Sequence, residues 1–160
     1  MRIDALSFAP SGPVPNHPRF PALVYRAAAE ASAEAFEALF AANGWPPQWR
    51  NGIHPFHHYH TRGHEVLGIA AGSVRVLLGG PDGREVALAA GDAAVLPAGT
   101  GHCRISASRG LLVVGAYPPG QQADLCRGVP TLAMLARIAA LPAPASDPVG
   151  RPDGVAALWR

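Results

Sequence analysis

The chain has 160 residues, 49% of them hydrophobic and 15% charged, and 13 basic against 11 acidic side chains leave a net charge of +2. That supplies a core for one domain but no basic run to grip nucleic acid and no apolar stretch near the roughly 20 residues of a membrane helix. Two cysteines, Cys103 and Cys126, are too few for a disulfide framework, and no apolar leader follows the first residue, so the expectation is one soluble cytoplasmic domain over 1–160.

Residues 1–29 read as an extended arm, because Pro10, Pro13, Pro15, Pro18 and Pro21 exclude a helix. A short strand at 22–25 ends it, and His17 within it is read as a surface residue. A helix is predicted over 30–43, with Phe36, Leu39 and Phe40 on one face and Glu30, Glu34 and Glu37 on another. Asn43-Gly44 gives a left-handed stop, and Pro46 and Pro47 follow it. Trp45 and Trp49 are expected to cap a hydrophobic end.

From 49 to 117 short apolar runs alternate with turn residues. Strands are predicted at 53–60, 65–71, 73–78, 85–89, 93–96, 102–106 and 111–117. Gly52, Gly72, Gly91 and Gly99 are assigned to turns that need positive φ or close backbone approach. Seven strands so closely spaced, with no helical pattern between them, predict an all-β sandwich or small barrel. Over 118–160, Pro118-Pro119-Gly120 breaks the run, a helix is predicted at 130–141 and the remainder is irregular. Trp159 there either docks or hangs free.

Five of the seven histidines lie between His54 and His64, and Glu65 follows at once. In a strand, His58 and His60 project to one face while His57 and Tyr59 project to the other. The turn at 61–63 carries Glu65 back toward them, and the corner at Pro97-Ala98-Gly99 delivers His102 from a distant strand. Imidazoles with a carboxylate form a mixed nitrogen and oxygen donor set for a divalent transition metal. His64 replaces Glu65 if the turn ends one residue earlier, since a one-residue slip exchanges faces. Cys103, next to His102, falls on the opposite face as a small core residue. Three further side chains are candidate substrate contacts. His54 has the parity to line the pocket mouth, or is exposed. Arg75 binds a substrate carboxylate or phosphate, or faces solvent. Tyr117 offers a phenol to the pocket, or packs in the core.

Two segments carry a resemblance. Gly52, His58, His60, Glu65 and Gly72 match the pattern G-x5-H-x-H-x4-E-x6-G, and Gly91, Pro97, Gly99 and His102 match G-x5-P-x-G-x2-H-x3-N, with Ser106 in place of the final Asn. These resemble the paired motifs of the cupin superfamily. The pieces NHPRFPALVYR and VVGAYPPG are similar to a group of single-domain bacterial cupins, the YjlB-like proteins. The resemblance implies a jelly-roll β-barrel with a few peripheral helices. It also implies one divalent metal ion (Fe, Mn, Ni, Co, Cu or Zn) held by His58, His60, Glu65 and His102. A small polar molecule would meet the open positions of that ion, in a dioxygenase or isomerase, or alternatively in a binding module without turnover. A homodimer is expected, with neither nucleic acid nor membrane as partner.

Overall fold

The apolar runs pair into two antiparallel sheets. In the computed structural model, which describes residues 2–160, the strands are β1 (Ile3–Leu6), β2 (Ala22–Tyr25), β3 (Pro47–Asn51), β4 (Glu65–Ala71), β5 (Ser73–Leu78), β6 (Arg84–Ala89), β7 (Ala93–Leu96), β8 (His102–Ala107) and β9 (Leu112–Ala116). Three helices flank them: α1 (Ala33–Ala42), α2 (Leu132–Ala140) and α3 (Val155–Leu158). One sheet has six strands in the order β1-β2-β7-β4-β9-β3, and the other has three, β6-β5-β8. This is the jelly-roll arrangement expected. Among the described residues no helix is long and apolar enough to cross a membrane.

Strand periodicity explains why the sheets differ in texture. In the three-stranded sheet only one face is covered, so β5 alternates buried Val74, Val76 and Leu78 with exposed Ser73 and Arg75. The six-stranded sheet is covered on both faces, and β2 and β7 are buried throughout. Ala22, Val24, Leu67, Ile69, Ala94 and Leu96 face inward, packing against Val74, Val76, Leu78 and Leu88 of the smaller sheet. Leu23, Tyr25, Val66, Ala70, Ala93 and Val95 face outward, under Phe36 and Phe40 of α1 and Trp159 of the tail. Each fully buried aromatic contributes roughly 2–3 kcal/mol. Gly68 is required here: a Cβ on it would stand 2.5 Å from the Phe36 ring.

Helix α1 starts later than predicted. Ser32 caps it, accepting from the Ala35 N–H at 3.0 Å, while residues 27–29 are tied to the turn at Gly91-Asp92. The strand predicted at 53–60 does not form as a unit. Pro55 lacks a donor, and the segment instead makes isolated bridges, His58 to His102 and Tyr59 to Cys126. Strand β3 forms just before it, with Pro47 as first residue on a sheet edge, where no donor is needed. The arm contributes β1, which pairs in register with β2.

The tail is ordered by one carboxylate. Asp147 accepts from the N–H groups of Val149 and Val155 at 2.8 and 2.9 Å and from the Tyr25 hydroxyl. Burial, and then Asp147, push the Tyr25 phenol up. Trp159 docks, stacked on Phe20 at 5.1 Å with its indole N–H on the Pro21 carbonyl at 2.8 Å. Gly72, Gly91 and Gly99 do have positive φ, but Gly52 does not and has open space where a Cβ would go.

Candidate metal centre

Alternation along two strands, together with one clasped loop, aims side chains at a single point. In β4 the inward residues are Glu65, Leu67 and Ile69, so Glu65 enters the space between the sheets. His102 opens β8 opposite Leu78, another inward residue. His58 lies directly across from His102, with their N–H and C=O groups exchanging bonds of 3.2 and 3.0 Å. His60 follows two residues on, its carbonyl accepting from the Gly99 N–H at 2.7 Å. Tyr59, between them, turns the other way, fully buried, with its hydroxyl donating to the Gly128 carbonyl at 2.5 Å.

The result is a cluster of His58, His60 and His102 whose ring nitrogens lie within 4.8 Å of one another. Each ring is oriented by a backbone carbonyl at its Nδ1: Phe56 O at 3.0 Å for His58, Asp124 O at 2.6 Å for His60 and Thr100 O at 3.1 Å for His102. A carbonyl only accepts, so each Nδ1 carries a hydrogen and each Nε2 is turned inward. Glu65 completes the group. Its Oε1 stands 3.4 Å from His60 Nε2 and 3.3 Å from His102 Nε2, and it is buried without a hydrogen-bond partner.

The electrostatics follow from that crowding. Burial, reinforced by His102, lowers the His58 pKa to about 3. For His60, burial opposes the charge, yet Glu65 outweighs it and raises the pKa to about 9. Glu65 is buried too, which favours its neutral form, but His60 and His102 hold it well below the usual carboxylate range. The pocket thus keeps an ionised carboxylate among imidazoles. A three-histidine cluster of this kind has the donor chemistry to hold a metal ion.

These groups sit in a cavity of about 400 Å³ also walled by Trp49, Ile53, His54, Leu67, Arg104, Tyr117 and Leu125. Tyr117 follows the inward parity of Val113 and Gly115 beyond β9. Its oxygen accepts from the Trp49 indole N–H at 2.7 Å, and burial and then Glu65 push its phenol up. Trp49 lies over Gly115, where any Cβ would strike its ring. His54 lines the mouth, stacked on Phe56 at 4.8 Å.

Three residues fall elsewhere. Arg75 is on the solvent face of β5, its side chain 63% exposed and ion-paired with Glu85 at 2.5 Å, away from the cavity. His64 does not replace Glu65. It points outward, its Nδ1 accepting from the Ala98 N–H at 3.0 Å and its Nε2–H donating to the Pro142 carbonyl at 2.9 Å, so it has no lone pair to offer. His17 is not on the surface: it is buried against Phe20 at 4.3 Å. Cys103 is only partly buried.

Sequence reading missed Asp124 and the strap around it. Its carbonyl orients His60, while its carboxylate accepts from the Thr61 N–H and hydroxyl and the Arg62 N–H, at 2.7, 2.5 and 3.1 Å. Despite burial, these donors lower its pKa to about 2. Nothing in the local sequence marks it, because its partners lie more than 60 residues earlier in the chain.

No protein-family profile matches the chain. It is 37% identical over 155 residues to the uncharacterized protein YjlB of Bacillus subtilis strain 168, spanning 95% of this chain and 93% of that one. Among solved structures it is similar to a DUF861 family protein from Thermotoga maritima, at 24% identity, 44% of this chain, 75% of that chain and a TM-score of 0.34. It is also similar to a cupin 2 domain-containing protein from Halorhodospira halophila, at 16% identity, 87% of this chain, 76% of that chain and a TM-score of 0.36. With that relative matched almost end to end, the chain belongs to the YjlB family, and its paired histidine motifs, seated between facing antiparallel sheets, resemble those of the cupin superfamily.

Proposed function

We propose that the cavity is a mononuclear metal centre, with His58, His60 and His102 binding through Nε2 and Glu65 through Oε1, in an enzyme that acts on a small polar molecule as a dioxygenase or isomerase. The observation that carries this reading is Glu65 Oε1, a buried carboxylate oxygen facing two imidazole nitrogens with no hydrogen-bond partner. A buried carboxylate costs several kcal/mol unless a cation or proton answers it; without a metal the His60 proton beside it does so, and a divalent ion would take that proton's place. Three neutral imidazoles and one carboxylate fit Fe, Mn, Ni, Co, Cu or Zn in the divalent state. When bound, such an ion supplies Lewis acidity or electron transfer at the positions that four protein ligands leave open.

The remaining roles belong to the chain itself. Ile53, Leu67 and the Trp49 ring exclude water from one side of the cavity. The Tyr117 hydroxyl keeps its proton, and with Trp49 N–H on its oxygen it can present that proton to a substrate oxygen. Among the described lining residues Glu65 is the sole carboxylate, which favours a second reading, a binding module that captures a small ligand without turnover. A homodimer that covers the free edges of β1 and β3 belongs to the same proposal, and sedimentation measures it.

Elemental analysis of untagged protein tests the centre, with close to one transition-metal ion per chain expected and none counting against it. Oxygen uptake by the Fe(II)-loaded protein with diols, thiols and keto acids, alongside isomerisation assays, separates the two readings. Turnover of any of these supports the enzyme, and a tightly bound but unchanged ligand supports the binding module.

A further inference from the structure

All 13 basic side chains are arginines, and most are answered. Arg2, Arg26, Arg50, Arg75 and Arg151 pair with carboxylates, Arg127 lies over the Phe56 ring at 3.8 Å, and Arg137 donates to the Thr61 hydroxyl. Arg104 is different. It is half-buried in the cavity wall beside the histidines and Glu65, and among the described residues it makes no ion pair.

Its position follows from the strand. Arg104 is two residues beyond His102, so both project to one face of β8. The register agrees: His102 stands opposite Leu78 and Arg104 opposite Val76, both buried, while exposed Arg75 stands opposite Ser106. The Arg104 N–H donates to the His54 carbonyl at 2.9 Å, fixing this part of β8 to the cavity rim. Glu65, the carboxylate of the lining, is turned to the imidazoles. A guanidinium in a half-enclosed, poorly screened site attracts an oxyanion, which it grips with parallel N–H donors. With a divalent ion in place, Glu65 offsets one of its charges and Arg104 adds another, so the cavity keeps an excess of positive charge.

We propose that Arg104 anchors an oxyanion on the substrate, and that the substrate class is a small molecule with a metal-binding oxygen group at one end and a carboxylate or phosphonate at the other. Ile53, Leu67 and Trp49 supply an apolar wall for the carbon chain between the two ends. This rests on the metal reading of the same site.

The test uses probes that share one chelating end. Acetohydroxamate has no anionic group beyond its chelating end, succinic monohydroxamate adds a carboxylate, and a hydroxamate of equal length adds a phosphonate. Titrated into metal-loaded protein, the anionic probes are expected to bind about tenfold or more tighter than acetohydroxamate, and the stronger of the two names the anion. Arg104→Gln is expected to abolish that preference while keeping metal content and acetohydroxamate affinity, and Arg104→Lys to restore part of it. Equal binding of all three probes to wild type, or a preference that survives Arg104→Gln, overturns the proposal. If no metal binds, the metal reading fails separately. Arg104 is then judged in metal-free protein by ¹⁵N NMR, where butanoate but not butanamide is expected to shift its side-chain N–H signal. No shift, or equal shifts, also overturns it.

Discussion

Two groups of buried histidines lie on opposite faces of the same sheet, and they are built for opposite ends. Inside, His58, His60 and His102 each spend Nδ1 on a backbone carbonyl and turn Nε2 toward a common point. Outside, His17 and His64 pack among Phe20 and Trp159, and their Nδ1 atoms accept from main-chain N–H groups: Arg19 and Phe20 for His17, Ala98 for His64. Burial does not distinguish the groups, since both are largely dry. What distinguishes them is which ring nitrogen is left over and whether a carboxylate shares its space. His64 and Glu65 are neighbours in the chain, and one peptide step sends them to different jobs.

The sharpest way to break this comparison is to exchange ligands. His60→Ala, His102→Ala and Glu65→Ala are each expected to lower metal affinity by more than about 100-fold, beyond what loss of an outer partner usually costs. His64→Ala is expected to keep the metal while losing about 2–4 kcal/mol of stability, since it strips the Ala98 N–H and the Pro142 carbonyl of their buried partner. Metal content after dialysis and denaturant midpoints decide the matter. If His64→Ala empties the site while Glu65→Ala leaves it filled, the inside and outside roles are reversed.

Trp159→Ala probes the outer group alone. Removing the ring over Phe20 is expected to cost about 3–5 kcal/mol, with metal content unchanged in whatever fraction stays folded. Asp124→Ala should sharpen the inner group. Without its carboxylate the strap loses Thr61 and Arg62, so His60 is oriented less well and metal affinity should fall about tenfold, as measured by competition with a chelator.

Acid separates the groups more gently. His17 is buried, and that burial, with His64 and Arg19 nearby, lowers its pKa from 6.5 to about 4. The unfolded chain therefore takes up the proton first. The stability His17 contributes is complete above about pH 6.5 and is lost as pH falls toward 4, a loss of up to about 3 kcal/mol. Urea midpoints at pH 7.5 and 4.5 should drop further for wild type than for His17→Asn, and equal drops would remove His17 from the acid response. The smallest effect expected is that of His57→Ala, whose ring lies outside the cavity lining and whose loss should leave metal content unchanged.

Much of this was legible in the chain. Short apolar runs bounded by turn residues mark β4 through β9 to within a residue or so, and within each strand the faces are set by its own period of two. The same period separates His58 and His60 from Tyr59 and Glu65 from Leu67's neighbours on the outer face, and it survives even where 53–60 forms no continuous strand. Helix α1 was visible in its Phe36 and Phe40 stripe. Strands β1 and β3 were not, because short edge strands with Pro or polar residues take their identity from the partner they pair with.

The sequence by itself determined which residues are the candidate donors and their parity, since spacing along an extended backbone dictates which side chains can meet. Only the tertiary structure decided that His17 is buried, that Arg75 faces solvent while Arg104 enters the cavity, that Trp159 docks, and that a carbonyl of Asp124 orients His60. Each of these depends on a segment distant in sequence packing against the residue in question, and no local period encodes which segment that will be.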